Sequence, residues 1–286
     1  MMLDKLLSRF AQECSRVDAD HWRLALTNGH ALNVSARRDQ GFLLFDADTG
    51  VSPAAEHLVP LAERALPASV KFARRGSAAV RLRAEFPLLD ASDALADRIE
   101  MNLDGMRSAL YQLHNSASSE AAGETAACLK PKGDGQAAPG GLAELLKEAG
   151  WECRERLAGA LLADLETGSR FLQAEIDGCG GGARFRVTLY RNDDSGEAAR
   201  QALCLYLLEA NAALRYTRAF LQTEGEGMAA GFEVCVASAP TAAETGHALA
   251  ALSVAGRECS REMEALQDGV VAGIYRSARI RQNKGD

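Results

Sequence analysis

A stretch of small and polar residues at positions 115–141 divides the 286-residue chain into two parts. It is rich in Ala, Gly, Ser and Pro and contains almost no large apolar side chain. Such a composition cannot bury enough surface to offset the entropy lost on ordering. A structureless loop of this length inside one compact domain is also uncommon. The sequence therefore predicts a first domain at 1–114, a flexible linker at 115–141 and a second domain at 142–286.

The two parts share a spacing of aromatic residues. The only two tryptophans are Trp22 and Trp151, and each is followed by a Phe-Leu pair, which begins at Phe42 in the first part and at Phe171 in the second. Both features recur 129 positions later. Self-similarity of this kind indicates an internal duplication. We therefore expect Trp22 and Trp151 to occupy equivalent places in two similar domains.

The order of predicted elements also repeats. Each part begins with apolar residues at helical spacing, continues with short alternating runs, and then shows a helix, a hairpin and a long final helix. Successive strands without a crossover imply antiparallel pairing, so we predict two α+β domains, each a twisted antiparallel sheet with helices. Strands are predicted at residues 22–26, 31–35, 41–46, 70–73, 78–86, 160–165, 169–177, 183–190, 215–222 and 228–238. Helices are predicted to begin near residues 3, 52, 90, 142, 197 and 241.

Composition favours a soluble globular protein. The net charge of −7 disfavours general nucleic-acid binding, which needs a basic surface. No apolar run approaches the roughly 20 residues that span a bilayer, and the first five residues do not resemble a secretory signal. The seven cysteines are odd in number and contain no Cys-x-x-Cys pair, which fits a reducing compartment. We therefore expect a cytoplasmic protein without a membrane partner.

The second part carries a short motif. Leu207-Leu208-Glu209-Ala210-Asn211 precedes a predicted hairpin that contains Gly231-Phe232-Glu233-Val234-Cys235-Val236, and a long helix follows. This arrangement, over residues 142–267, resembles the type III secretion chaperone family and a family of bacterial sensory-transduction regulators with the same fold. The resemblance implies the element order α-β-β-β-α-β-β-α and a dimeric protein that holds an extended segment of a client protein. Two joined copies would then form an internal pseudo-dimer.

The resemblance is weaker in the first part. There the matching helix contains Pro60, Leu61, Ala62 and Glu63, and the Leu-Leu-x-x-Asn run is absent. This difference leaves open whether the first copy keeps a binding role.

The helix with this motif is apolar on two faces. Leu203, Tyr206 and Leu207 lie on one face, and Leu205 and Leu208 lie on the other. A helix that covers one sheet needs only one apolar stripe, so the second face indicates a further partner. We predict Leu205, Leu208 and Asn211 as binding residues. The partner is a client protein, the other half of the chain or a second copy; burial by loops of the same domain is the alternative.

Motifs for catalysis or metal binding are weak. The glycines at 178–182 lack the Gly-Lys-Ser/Thr ending of a phosphate loop and are interpreted as a hairpin turn. Asp46-Ala47-Asp48-Thr49-Gly50 starts like a calcium loop, but the twelfth position is His57 instead of Glu, which favours a turn. The five histidines show no metal-ligand spacing. We predict no catalytic residue, metal or cofactor, and keep an enzyme or small-molecule binder as the alternative, with a self-assembling structural unit as a third hypothesis.

Two segments are locally basic. One is the second hairpin of the first part, and the other is the C-terminus, which we interpret as a disordered tail. A solvated strand face is the favoured interpretation of the hairpin, and a patch for an acidic partner or a nucleic acid is the alternative. The basic residues are Lys71, Arg74, Arg75, Arg81 and Arg83 in the hairpin and Arg276, Arg279, Arg281 and Lys284 at the C-terminus.

Overall fold

The chain forms two antiparallel sheets with helices packed against them, as seen in a computed structural model. It describes residues 2–27, 31–50, 66, 69–74, 79–88, 92–118, 139–156, 160–168, 170–179, 182–193, 196–224, 227–236 and 240–282. We call residues 2–118 the first unit and residues 139–282 the second unit.

The first unit places a six-stranded sheet beside two described helices. Its elements are α1 (Met2–Phe10), β1 (Glu13–Arg16), β2 (His21–Thr27), β3 (Ala31–Asp39), β4 (Phe42–Asp48), β5 (Lys71–Ala73), β6 (Arg81–Pro87) and α2 (Ser92–Ser118). The strand order is β1-β2-β3-β4-β6-β5. Helix α2 packs on β2 and β6, and α1 packs on α2.

The second unit repeats this arrangement. Its elements are α3 (Pro139–Glu148), β7 (Cys153–Glu155), β8 (Leu161–Glu166), β9 (Phe171–Cys179), β10 (Gly182–Asn192), α4 (Glu197–Ala213), β11 (Arg218–Glu224), β12 (Gly227–Val236), α5 (Ala242–Ala265) and α6 (Gly269–Gln282). The strand order is β7-β8-β9-β10-β12-β11, which matches the first sheet strand for strand. Helix α5 covers β8, β9, β10 and β12, and α3 packs on α5.

The predicted α+β class and the two similar sheets are confirmed. Each unit has one more strand than predicted. The additional strands, β1 and β7, each lie at one edge of a sheet and precede the first three predicted strands of their unit. These strands are only 4 and 3 residues long and contain no buried residue, so they carry no alternation that a sequence pattern could reveal. The middle helix predicted from residue 52 of the first unit lies outside the described residues.

The predicted correspondence of the two tryptophans is wrong. Trp22 lies in β2, whereas Trp151 lies in the turn between α3 and β7, where its backbone N–H donates to the carbonyl of Leu146 at 2.8 Å. Phe171 begins β9, whose counterpart is β3, whereas Phe42 begins β4. The strand register gives the true correspondence. Trp22, Ala36, Phe45 and Ala84 form one buried row across the first sheet, and Leu161, Ile176, Phe185 and Val234 form the same row across the second.

The cores of the two units meet. Buried apolar side chains from both units form one continuous cluster, although each sheet keeps its own helical layer. The two units therefore share one strand order, while burial joins them into one body.

A close approach between β10 and β12 requires glycine at position 231. A Cβ atom there would lie 1.9 Å from the carbonyl oxygen of Val187. The register between these strands shifts between Thr188 and Tyr190, next to this contact. A side chain at Gly231 would force the strands apart at this bulge.

The predicted final helix is two helices, and the predicted C-terminal tail is helical through residue 282. Helix α5 begins after Thr241, whose hydroxyl and backbone form a capping box with Glu244. It ends at Ala265, and α6 begins at Gly269. Residues 283–286 lie outside the described part. No helix in the described ranges is long and apolar enough to cross a membrane.

The predicted linker is shorter at both ends than expected, because α2 extends to Ser118 and α3 begins at Pro139. Residues 119–138 lie outside the described part of the chain, so the predicted flexibility stays a prediction.

Candidate functional site

Helix α4, which carries the Leu-Leu-x-x-Asn motif, lies between the two units. It contacts β5 of the first unit as well as β11 and α6 of the second. Leu205, Leu208 and Ala212 are buried and share one helical face. Arg74 donates its backbone N–H to the carbonyl of Leu208 at 3.1 Å, and Arg83 Nη1 donates to the carbonyl of Ala212 at 2.7 Å. The C-terminal half of α4 is thus held by the first unit.

Asn211 joins the edge strands of both sheets. Its Nδ2 donates to the carbonyl of Phe72 in β5 at 2.9 Å, and its Oδ1 accepts from the backbone N–H of Ala219 in β11 at 2.7 Å. The side chain is buried, with 6% of the residue exposed. One amide therefore satisfies a donor and an acceptor on two different sheets, which an apolar residue could not do. The three predicted binding residues, Leu205, Leu208 and Asn211, all lie on the buried part of α4.

Two cations make reciprocal contacts across the units. Lys71, the first residue of β5, donates from Nζ to the carbonyls of Leu214 at 2.7 Å and Thr217 at 3.0 Å. Arg218, the first residue of β11, donates from Nη1 to the carbonyl of Leu66. Because β5 and β11 occupy equivalent positions, each unit sends a cation from the same strand to a backbone carbonyl of the other. This relation is what an approximate twofold axis produces.

Each of these cations faces a buried carboxylate on the neighbouring strand. Lys71 Nζ lies 3.7 Å from Glu85 Oε2, and both residues are 2% exposed. Burial lowers the pKa of Lys71 to about 8, and the charge of Glu85 opposes this change. Arg218 and Arg186 bind Glu233 at 2.8 and 2.7 Å. Burial alone would raise the pKa of Glu233, but the two guanidinium groups hold it below its usual value.

Further polar contacts lie beside these pairs. Tyr216 has a positive φ of 60°, and its backbone N–H donates to Glu85 Oε2 at 2.6 Å. Its ring packs against Phe42 at a centroid distance of 5.7 Å. Arg98 in α2 forms a buried ion pair with Glu244 in α5. A non-glycine residue in the left-handed region costs free energy. The hydrogen bond to Glu85 and the packing against Phe42 therefore hold Tyr216 in a strained conformation.

Helix α6 packs on the other side of α4. Tyr275 donates its hydroxyl to Glu209 at 3.0 Å, and Arg279 pairs with the same carboxylate at 2.8 Å. The rings of Tyr206 and Tyr275 lie 6.3 Å apart. Burial raises the pKa of the Cys259 thiol to about 11. The face of α4 that carries Tyr206 and Glu209 therefore lies among residues of its own unit.

The basic hairpin of the first unit does not form the solvated strand face predicted for it. Lys71 and Arg74 are buried, Arg83 is mostly buried, and Arg81 remains partly exposed. Sequence reasoning missed Lys71, Glu85 and Arg218 as residues of the unit contact. The available signal was a cation at the start of the second hairpin in each half, followed by Glu in the next strand. Arg75 lies outside the described residues.

Among the described residues, two adjoining cavities lie on the face of the first sheet opposite α2. A cavity of about 500 Å³, which we call the basic cavity, lies at its α4 end, and a cavity of about 990 Å³ adjoins it toward β1. His21, Ser35, Asp46 and Arg81 line both. The basic cavity is also lined by Arg37, Leu44, Ala73, Arg74, Arg83 and Ala212.

The weak motifs fall in strand ends and turns. Asp46 lies on the face of β4 that lines the basic cavity, where it accepts a hydrogen bond from Arg81 Nε at 2.8 Å. Asp48 accepts a hydrogen bond from the N–H of Gly50. Cys179 pairs with Gly182 across the β9–β10 hairpin. In the described ranges, no group of three His, Cys, Asp or Glu side chains is placed to hold a metal ion.

Comparison with known proteins supports one of the two family resemblances. The model of the YbjN family, described as "putative bacterial sensory transduction regulator", matches residues 139–265. The matched range runs from the start of α3 to the end of α5 and thus covers the complete sheet of the second unit. No curated protein and no solved structure gives a significant match to the chain.

Proposed function

We propose that this chain is a non-enzymatic, cytoplasmic protein-binding module in which two chaperone-like units form an internal pseudo-dimer. The observation that carries the proposal is the reciprocal contact of Lys71 and Arg218 with backbone carbonyls of the opposite unit. Docking through α4, β5 and β11 occupies the inner edges of both sheets. Among the described residues, it leaves strands farther from the contact, such as β3 and β8, accessible on one face.

The exposure of alternate strand residues supports binding on these open faces. In β3 and β8, buried residues that face the helical layer alternate with accessible ones. Phe171, at the start of β9, is 96% exposed. Phe171 thus adds apolar surface at the end of this sheet that a partner segment could cover. The match to a regulator family agrees with a role that depends on partners, and the resemblance to secretion chaperones supplies the client-binding mode.

The pseudo-dimer is tested by cutting the chain between its units. A specific protease site placed within residues 119–138 of the full chain is cleaved after folding. The two fragments should then elute together in size-exclusion chromatography, because the unit contact is buried and hydrogen-bonded. Separate elution of two folded fragments would refute the pseudo-dimer.

Client binding is tested by selecting peptides from a displayed library against the full chain. Selected peptides should protect amides of β2–β4 or β8–β10 from hydrogen exchange. Selection of no peptide, or protection confined to the loops, would count against a protein-binding role.

The alternative function is a small-molecule binder or enzyme that uses the basic cavity. Its volume of about 500 Å³ is in the range of ligand pockets, and His21, Asp46 and several arginines converge there. A bound small ligand would raise the melting temperature in proportion to its concentration. A screen of small anions that produces such a rise, without any peptide binding, would favour this alternative.

A further inference from the structure

We propose that the open face of the first sheet binds an extended protein segment whose acidic side chains lie in the basic cavity. This inference rests on the proposed protein-binding function and adds the location of the partner and its charge. It is carried by the shape of the two adjoining cavities and by the distribution of charge along them.

The two cavities together cross the whole first sheet. Their lining runs from Cys14 in β1 to Ala73 in β5 and Ala212 in α4. Six strands span five inter-strand spacings of about 4.8 Å, so the groove is about 24 Å long. An extended peptide advances about 3.3 Å per residue, so about seven residues fit along it. A groove of this length suits a chain segment better than a compact ligand.

The α4 end of the groove carries an excess of positive charge. The basic cavity is lined by one carboxylate, Asp46, and by four arginines, namely Arg37, Arg74, Arg81 and Arg83. Two nearby carboxylates are each shared by two cations. Glu85 pairs with Lys71 and Arg83. Asp39 pairs with Arg215 and Arg37.

Asp46 and Asp48 bring the carboxylates near the basic cavity to four, against six cations, namely its four arginines, Lys71 and Arg215. Arg81 binds Asp46 at 2.8 Å and Asp48 at 3.6 Å, whereas Arg83 lies 3.6 Å from Asp46. The resulting excess of positive charge in a concave site attracts carboxylates. Guanidinium groups fixed by neighbours also bind carboxylates with defined geometry.

The β1 end of the groove has the opposite character. Three carboxylates line it, those of Glu13, Asp18 and Asp48, against one arginine, Arg23. Asp18 accepts hydrogen bonds from Asp20 N and His21, which lower its pKa. A segment with acidic residues at one end and neutral or basic residues at the other is therefore preferred. The bound segment would therefore cross the strands in one direction only, with its acidic end next to α4.

The test uses the full chain and a labelled nonapeptide with Glu at four positions, beside a matched peptide with Gln at those positions. Fluorescence anisotropy at about 50 mM and about 300 mM salt measures the affinities. The acidic peptide should bind about tenfold more tightly than the Gln peptide, and its affinity should fall several-fold at the higher salt. Equal affinity for the two peptides would overturn the proposal.

Arg37→Gln/Arg81→Gln supplies the site variant, since these side chains are 43% and 41% exposed and their loss leaves the unit contact intact. Arg154→Gln/Arg257→Gln removes the same charge from side chains that are 60% exposed and lie in the second unit. The first variant should weaken the acidic peptide about tenfold, and the second by less than about twofold. Matching unfolding midpoints verify that both variants fold. Equal effects of the two variants would overturn the location.

Other occupants give distinguishable outcomes. Tighter binding of a single-stranded oligonucleotide of the same length, or binding of inorganic phosphate without the peptide, would overturn the acidic-segment proposal. Library peptides that bind without acidic residues and are unaffected by Arg37→Gln/Arg81→Gln would refute this site while the protein-binding function stands. If no peptide of any kind binds, the proposed function fails as well.

Discussion

Replacing Asn211 with Ala should destabilise the chain by about 2–4 kcal/mol. The substitution removes a buried hydrogen bond to the carbonyl of Phe72 and a partly buried one from the N–H of Ala219. An unsatisfied buried polar group costs about 1–3 kcal/mol, which applies to the Phe72 carbonyl. The partly buried hydrogen bond of Ala219 adds about 1 kcal/mol, which gives the expected range. The loss falls on the contact between the units, so the units should also become easier to separate.

Urea unfolding monitored by circular dichroism measures this free energy, with Asn33→Ala as the matched control. Asn33 lies in β3 and is exposed, so its loss should change stability by less than about 0.5 kcal/mol. Asn211→Asp adds a directional check. It keeps the acceptor for Ala219 but places a carboxylate against the carbonyl of Phe72, and should be more damaging at neutral pH than Asn211→Ala. A change below about 0.5 kcal/mol in Asn211→Ala would refute the bridging role.

The folded-state pKa of Lys71, about 8, lies below its ordinary value of 10.5, so the unfolded chain binds more protons between these values. The unfolding free energy of the wild type should therefore rise relative to that of Lys71→Met by about 3 kcal/mol from pH 8 to pH 10.5. Parallel urea titrations of the two proteins measure this change. If the difference between their unfolding free energies did not vary with pH, the burial of a charged lysine would be contradicted. Gly231→Ala should lower the stability of the fold by several kcal/mol, because the added Cβ would lie 1.9 Å from a strand carbonyl oxygen. Gly273→Ala, whose Cβ would have no atom within 4 Å, should raise the stability by about 0.5–1 kcal/mol. Thermal melts compare the two variants, and similar melting temperatures would exclude the close approach. A maleimide added to the folded protein should react with Cys153 long before it reacts with Cys259, which is buried. Mass spectrometry measures the two labelling rates. Equal rates would show that α5 opens locally.

Strand patterns in the sequence predicted most of the sheet because they report local burial. The alternating runs at 22–26 and 31–35 became β2 and β3, whose buried residues face the helical layer. The short edges β1 and β7 lack such a pattern, since an edge strand of three or four residues needs no buried side chain. Local pattern therefore predicts the centre of a sheet and misses its margins.

The equal spacing of the tryptophans misled because residue type is a poor guide to position after a duplication diverges. The structural counterpart of Trp22 is Leu161, and both begin a buried row across their sheet. What the two copies share is burial at a register position, and an indole or an isobutyl group can both fill it. The order of strands carries the duplication, and the coincidence of aromatic residues does not.

The candidate site was visible in the sequence as a surplus of apolar surface on α4, but its partner was not. Leu205 and Leu208 indicated a second contact, and Asn211 marked a polar group beside it. Their partners belong to β5, more than 130 positions earlier in the chain. Such pairing depends on how two sheets dock, which no local periodicity encodes.

Joining the two units in one chain explains how their contact can contain so many buried polar groups. Lys71 and Glu85 lose nearly all hydration at this contact, and a buried pair returns little net stability for that loss. Two separate chains would have to recover this cost, together with the entropy of association, from the remaining contact surface. Within one chain the second unit is present at high effective concentration, so the association cost largely disappears. Buried pairs can then act mainly on geometry, since only one alignment brings Lys71 to the carbonyl of Leu214 and Arg218 to that of Leu66. The same alignment places Ala212 of α4 in the wall of the basic cavity, so the docking of the units also shapes the surface proposed for the partner.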